Sequence, residues 1–439
     1  MSSSPTGPER TSQMREIVAL MRRRPDFRRL FSASVVSFLG DWFALVAVAS
    51  LVEELTGSEG STALVFAAEV LPFFVFSPLA GVLADRLDRR TLLVGSAVAR
   101  IFPALGLVVA SVTGQAWLAY VCVATISALA SFFEPVVSAV VPNVVERDEV
   151  PVAQAAIGSV WGSMLFVGAA IGGLVAAVLG RDASFLINAG TFVVSALLVA
   201  RIVSPLNRGV VHAGASVLGD LREVWTYARA RKPVAALMVT KAGVGVGNGV
   251  VGILPIYALT VFQAGEAGIG VLLAARGLGA LVGPHLGRRL TRDDGRRIVL
   301  WNGLSILFYA AAYAALPLAG SLAVAFLLVT AAHVGGGNQW VASTTGLQLA
   351  TPDHVRGRVL GVDFALATVT MGVSAILAGV VAERASLATA SWLLAGFSFT
   401  YGVAWLAWTR DLWGPGSTDP LGAAGGGLDA EPVASTPAG

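Results

Sequence analysis

Charge is scarce in this 439-residue chain: only 13% of its residues are Asp, Glu, Lys or Arg. A soluble domain carries about 25%. Too little polar surface is left to cover a water-soluble body, which excludes two or three ordinary soluble domains. Cysteine is nearly absent. Cys122 alone permits neither an internal disulfide nor a thiolate metal cluster. The four histidines, His212, His285, His333 and His354, lack metal-ligand spacing. No Walker-type GxxxxGK[ST] follows a strand pattern, so neither ATP as fuel nor any other cofactor is expected. The net charge of +3 is too small to imply a nucleic-acid partner. Residues 1–29 are polar and Arg-rich, without the short apolar core and small-residue cleavage site of a secretory leader.

What the chain has instead is apolar length. Hydrophobic residues make up 55%, and the mean hydropathy is +0.75. A bilayer-spanning helix needs about 20 mostly apolar residues. Twelve runs meet that need: 30–52, 62–83, 91–112, 116–140, 153–179 and 183–203, then 234–261, 268–287, 297–317, 321–349, 360–382 and 387–409. The expected fold is an all-α membrane protein of two six-helix bundles, 30–203 and 234–409. They are flanked by an N-terminal segment 1–29, a linker 204–233, and a Gly/Ala/Pro-rich tail 410–439 expected to be disordered.

Basic residues set the expected orientation. With the N-terminus inside and the spans alternating, 25 of the 30 Lys and Arg fall on the inner side and two, Arg181 and Arg384, on the outer. This bias places both termini in the cytoplasm of a cell-membrane protein. The halves also repeat by pattern. Arg23-Arg24-Pro25 before the first span matches Arg231-Lys232-Pro233 before the seventh. Pro142-Asn143 after the fourth matches Pro352-Asp353 after the tenth, and Gly81 after the second matches Gly287 after the eighth. Two halves of like orientation suggest a pseudo-twofold axis along the membrane normal.

The loop Gly81-Val-Leu-Ala-Asp85-Arg86-Leu-Asp-Arg89-Arg90 joins the second and third spans. It resembles the signature loop of the major facilitator superfamily. Gly40-Asp41, Phe185-Leu-Ile-Asn188, Ala275-Arg276-Gly277-Leu-Gly279 and Arg356-Gly357-Arg358-Val359 resemble its drug:proton antiporter branch, with macrolide- and enterobactin-exporter-like members. Gly168-Ala169-Ala170-Ile171-Gly172-Gly173 in the fifth span is similar to that branch's antiporter motif, with Ala169 where the pattern has proline. The resemblance implies alternating access, and a cytoplasmic latch in which Asp85 meets a helix N-terminus or an arginine of the other bundle while Arg86, Arg89 and Arg90 pair across the seam. The plainer reading of that loop is a positive-inside anchor.

Ionisable groups inside a span each cost about 2.5–3.5 kcal/mol by insertion scales, so the few present are site candidates. Asp41, Glu134 and Glu69 are the proton-coupling candidates, because a carboxylate in a partly dry cavity can alternate between charged and neutral. The structural alternative is static pairing with the basic residues Arg100, Arg276 or Lys241. Lys241 is near enough to the inner face to snorkel, and His333 reads as a hydrogen-bonded spectator. Cavity-wall candidates are Trp42, Phe73, Phe133, Asn248, Tyr257 and Trp340. Gly243, Gly245, Gly247 and Gly249 suggest a hinge around Asn248. Residues 216–232 pattern as an amphipathic helix whose apolar face, Leu218, Leu221, Val224, Trp225 and Ala228, is suited to the inner leaflet.

The expected function is that of a secondary transporter, not an enzyme. The favoured reading, which the resemblance implies, is proton-coupled efflux of amphipathic small molecules by a monomer in the bilayer. The alternatives are uptake, lysophospholipid-type lipid transport, and a transport-dead sensor or scaffold.

Overall fold

The structure, a computed structural model, describes residues 7–207, 217–291, 294–415, 417 and 419–421; within these, the side chains of 7–14, 77–86, 161, 217, 218, 220, 353 and 354 lie outside the description. The N-terminal bundle contains α2 (Pro25–Thr56), α3 (Glu59–Arg86), α4 (Arg89–Thr113), α5 (Ala116–Val144), α6 (Val150–Leu179) and α7 (Arg181–Ala200), preceded by α1 (Gly7–Arg23). The linker carries α8 (Val217–Ala230). The C-terminal bundle contains α9 (Lys232–Gly247), α10 (Gly249–Ile256), α11 (Gly265–Thr291), α12 (Gly295–Ala315), α13 (Leu322–Ala350), α14 (Asp353–Arg384) and α15 (Leu387–Trp408), closed by α16 (Arg410–Trp413). With α9 and α10 counted as one interrupted span, twelve helices among the described residues are long and apolar enough to cross a membrane.

Local chemistry stops the helices where the connections are short. Gly57 and Gly114 take left-handed conformations after α2 and α4, each closing the preceding turn with its N–H. Asp88, Asp294, Ser321 and Ser386 accept backbone N–H groups at the starts of α4, α12, α13 and α15. Such caps satisfy end groups that water would otherwise have to reach.

The ninth and tenth helices meet at a break. Asn248 ends α9 and starts α10. Ser374 of α14 repairs it, donating to the Val246 carbonyl and accepting from Gly249 N at 3.1 Å. A Cβ on Gly249 would run into the Ser374 backbone, so only glycine allows this approach.

The packing decides the conformation. The end bearing both termini and α8 is here called the termini side, and the opposite end the distal side. One buried core joins both bundles on the distal side, from Val46, Phe66, Leu107 and Phe185 to Leu254, Leu272, Tyr313 and Leu394. Towards the termini side, among the described residues, each buried core lies within a single bundle, and two of these cores are the larger. One holds Phe27, Leu93, Val140 and Ile202 of the N-terminal bundle. The other holds Leu237, Ile298, Leu347 and Val359 of the C-terminal bundle. The bundles are thus wedged together at the distal end, and each closes on its own core at the other.

Two expectations change here, and the N-terminal segment gains a helix. The tail does not leave the protein at 410: Lys232 pairs with Asp411 at 2.5 Å, Arg296 donates to the Ser417 carbonyl, and Leu421 is buried in the C-terminal bundle's core. One leucine and a few polar anchors override the Gly/Ala/Pro composition that pointed to disorder. Residues 422–439 lie outside the described residues. The linker helix α8 does not give its whole apolar face to lipid. Val224 and Ala228 pack on the C-terminal bundle, Glu223 pairs with Arg358, and Leu221 and Trp225 stay exposed. Finally, the polar N-terminal segment is helical. In α1, Leu20 is buried against the N-terminal bundle, with Ile17 and Met21 beside it.

Two carboxylates, Glu149 and Glu146, hold the junction of α1 and α2. Arg24 donates to Glu149 at 2.7 Å and pairs with Glu146, and Arg23 lies 3.6 Å from Glu149. Against the upward push of burial, the Glu146 N–H and the Arg24 guanidinium hold the Glu149 carboxyl below its ordinary range. A lowered folded-state value stabilises above the unfolded value and is lost as pH falls through the folded one. Protease resistance of α1 should therefore fall as the medium is acidified below the ordinary glutamate range. Glu149→Gln should show the loosened state at neutral pH and little further change in acid.

Candidate functional site

The N-terminal bundle encloses a cavity of about 120 Å³. Its wall brings together Asp41 of α2, Glu69 of α3 and Glu134 of α5, with Asn188 of α7 and the rings of Trp42 and Phe73. The three carboxylates are far apart in sequence and come from three helices. Local sequence explains part of the shape. Trp42 reaches the wall because Gly168 and Gly172 of α6 leave it room: a Cβ on either would lie 2.7 Å from its ring or 2.9 Å from its carbonyl. The glycine-rich stretch containing Ala169 is thus the bed of this tryptophan.

Arg100 of α4 supplies the positive charge. Its guanidinium is buried between Phe133, 4.9 Å from the ring centroid, and Phe192, at 4.5 Å. Its Nη1 lies 3.7 Å from Asp41 Oδ2, while its Nε and Nη2 have no protein partner. Asp41 Oδ1, Glu69 Oε2 and Asn188 Nδ2 are likewise buried and unpartnered. Buried polar atoms without partners are costly unless water or a ligand meets them. The cavity therefore presents unsatisfied polar atoms to whatever enters it. Within the N-terminal bundle, Arg100 is thus set among three acids.

The C-terminal bundle brings Arg276 of α11 close to the N-terminal bundle. Its guanidinium lies 5.6 Å from the Phe66 ring of the other bundle and within electrostatic reach of Glu69. A second charged site lies inside the C-terminal bundle. Lys241 does not snorkel: its side chain is 3% exposed and forms an ion pair with Asp363 of α14. It also donates to Thr344 Oγ1 at 2.9 Å and sits 4.6 Å from the Trp340 ring, which meets Phe364 edge-on. Asp363 supplies the compensation that snorkelling would otherwise provide. The sequence reading missed Asp363, although a lone acid in the apolar run 359–367 is the signal that singled out Glu69.

The remaining candidates divide. Asn248 accepts from Tyr309 at 3.2 Å at the helix break, and His333 is bonded to Tyr313 at 2.9 Å. Phe133 is not a free cavity wall, because it is covered by Arg100. Tyr257 is not in the central cavity either. It starts a π-turn at the distal end and is bonded to Ser391. Arg89 and Arg90 do not reach across the seam. Arg89 donates to the carbonyls of Ala139 and Leu206, and Arg90 to those of Ala200, Ile202 and Ser204, all in the N-terminal bundle or the linker start. Helix ends and the turns after them present unpaired carbonyls, which attract a guanidinium at close range. The side chains of Gly81, Asp85 and Arg86 lie outside the described residues.

Twelve membrane helices in two bundles around a charged central region define a secondary transporter of the major facilitator fold. The sequence profile of the transmembrane secretion effector family, a branch of that superfamily, matches residues 19–409. The chain belongs to this family: it is a membrane-embedded, multi-pass transporter of small molecules, not an enzyme. Among characterised relatives, the multidrug efflux pump Tap of Mycolicibacterium fortuitum is 27% identical over 388 residues, covering 83% of this chain and 91% of that protein. An uncharacterised MFS-type transporter of Bacillus subtilis, YfiS, is 29% identical over 181 residues. That match covers 41% of this chain and only 43% of the relative. Among solved structures, the nucleoside transporter NupG in a D323A form superposes with a TM-score of 0.70 at 14% identity, covering 87% of this chain and 99% of the other. A bacterial homologue of the lysosomal transporter Spinster, inward-facing and unoccupied, superposes with a TM-score of 0.65 at 16% identity, covering 88% and 95%.

Proposed function

We propose that this protein is a proton-coupled exporter of amphipathic small molecules that works by alternating access in the cytoplasmic membrane. The carrying observation is that Asp41, Glu69 and Glu134 line one cavity, where only Asp41 contacts an arginine, Arg100. Three acids that cannot all be neutralised by Arg100 exchange protons as the cavity changes its exposure. A cationic or amphipathic cargo competes with those protons for the same charge. Trp42 and Phe73 offer it apolar and π surface.

Orientation follows from the basic residues, whose excess lies on the termini side. That side is then cytoplasmic. The distal seal faces outward, and the conformation is inward-facing, the state that loads cargo from the cell interior. The name of Tap, a multidrug efflux pump, supports the outward direction and a broad cargo range.

Everted membrane vesicles loaded by respiration test this reading with a cationic fluorescent dye. Dye should accumulate inside vesicles carrying the protein and leave when nigericin collapses the pH gradient. Accumulation that survives the collapse would remove proton coupling. Dye movement only in the opposite direction would replace export by uptake. No difference from vesicles lacking the protein, over a wide panel of dyes and lysolipids, would favour a sensor or scaffold.

A further inference from the structure

The distal side is held by more than apolar contact. Glu383, in the last turn of α14, reaches across to the other bundle. Its Oε2 accepts from Ser58 Oγ at 2.7 Å and from Gly60 N at 3.0 Å, at the first turn of α3. Beneath it the two helices touch backbone to backbone. A Cβ on Gly379 would lie 2.9 Å from the Gly60 carbonyl oxygen and 2.9 Å from the Ala63 Cβ. The pseudo-symmetric crossing of α6 and α11 is as close, with 2.6 Å from a Cβ on Gly173 to Gly270 Cα. There Glu266, in the first turn of α11, accepts from Ser50 Oγ of α2 at 2.8 Å. In both clasps the C-terminal bundle supplies the carboxylate and the N-terminal bundle the hydroxyl.

We propose that Glu383 and Glu266 form a two-point distal latch that sets the balance between distal-closed and distal-open states, with Glu383 the stronger point. A carboxylate at the first turn of α3 also meets that helix's positive end. Charge-assisted hydrogen bonds are about twice as strong as neutral ones. None of these bonds lies within one bundle, so rocking the bundles apart at the distal end breaks all of them while leaving each bundle's own packing intact. A latch of this kind makes the distal-closed state the resting one and places part of the opening barrier outside the substrate cavity. The inference rests on alternating access but not on proton coupling.

The test uses the full chain in nanodiscs, with the only native thiol removed by Cys122→Ala and a reporter installed by Ala67→Cys, a position now 3% exposed beneath the Glu383 clasp. The readout is the rate of labelling by a polar maleimide, without cargo or gradient. Glu383→Ala should raise that rate about tenfold or more. Glu383→Gln should raise it less, Glu266→Ala modestly, and Glu266→Ala with Glu383→Ala most. A Gly270→Trp wedge at the second crossing is the control for motion itself. If the wedge speeds labelling and Glu383→Ala leaves it at the parental rate, the latch is wrong. If neither speeds labelling in protein that remains monodisperse, alternating access is wrong and the latch falls with it. Thermal unfolding that is unchanged in Glu383→Gln separates latch release from general loosening.

Discussion

Asp41→Asn should abolish gradient-driven export while leaving downhill flux of the same dye measurable. The asparagine keeps the shape of the cavity wall and can still accept a hydrogen bond, but it cannot cycle between charged and neutral. Its loss should cut proton-driven accumulation at least about tenfold, the factor that about 1.4 kcal/mol of lost coupling represents. The change has a structural side effect, because Arg100 loses the acid that lies 3.7 Å away and stays buried between two rings. A buried charge left without its partner destabilises a fold. Asp41→Asn with Arg100→Met removes that penalty. The double variant should regain thermal stability without regaining coupling. Restored proton-driven export in it would show that Asp41 acts only as a static partner of Arg100. Glu134→Gln and Glu69→Gln line the same cavity without direct contact to an arginine, so they should reduce coupling with less effect on stability.

The second large effect belongs to the buried pair in the C-terminal bundle. Lys241→Met or Asp363→Leu alone should lower unfolding stability by about 3–5 kcal/mol, because each leaves an opposite charge stranded in the apolar interior. Lys241→Met together with Asp363→Leu should recover most of that loss, and can exceed the parent, since apolar pairs of similar volume often replace buried ion pairs without cost. Thermal unfolding of the purified protein measures both. Equal and additive losses in the double variant would mean that the two residues do not act as a pair. The pair holds α9 against α14 just before the Asn248 break, so transport in the stable double variant reads whether that clamp also matters to the cycle. Export equal to the parent assigns it to stability alone.

The apolar runs, their alternation and the basic asymmetry were legible because each is a local or compositional quantity. A span is recognised by the hydropathy of about 20 consecutive residues, whatever those residues touch. The rare charges within spans were legible for the same reason, since burial in hydrocarbon makes each of them costly. Asp363 could have been found by that rule. Its pairing with Lys241 could not, because it depends on which face of α14 turns towards α9. Phe133 and Tyr257 show the same limit. Both lie on spans that border the centre, and both turn away from the cavity, one beneath Arg100 and the other into the distal plug. Arg89 and Arg90 were read as cross-seam partners from their loop, but the nearer carbonyls of their own bundle took them.

The sequence by itself determined the solvent, the number of spans, the two halves and the short set of charges carried within the spans. Hydrophobicity and cost of burial act residue by residue, and those properties can be summed along a chain. Only the tertiary structure decided which charges meet, and that the bundles share one distal core and part at the termini side. Those outcomes depend on the rotation and register of helices distant in sequence. They are fixed by close glycine crossings and a handful of polar clasps, whose energies exist only once both partners are in place.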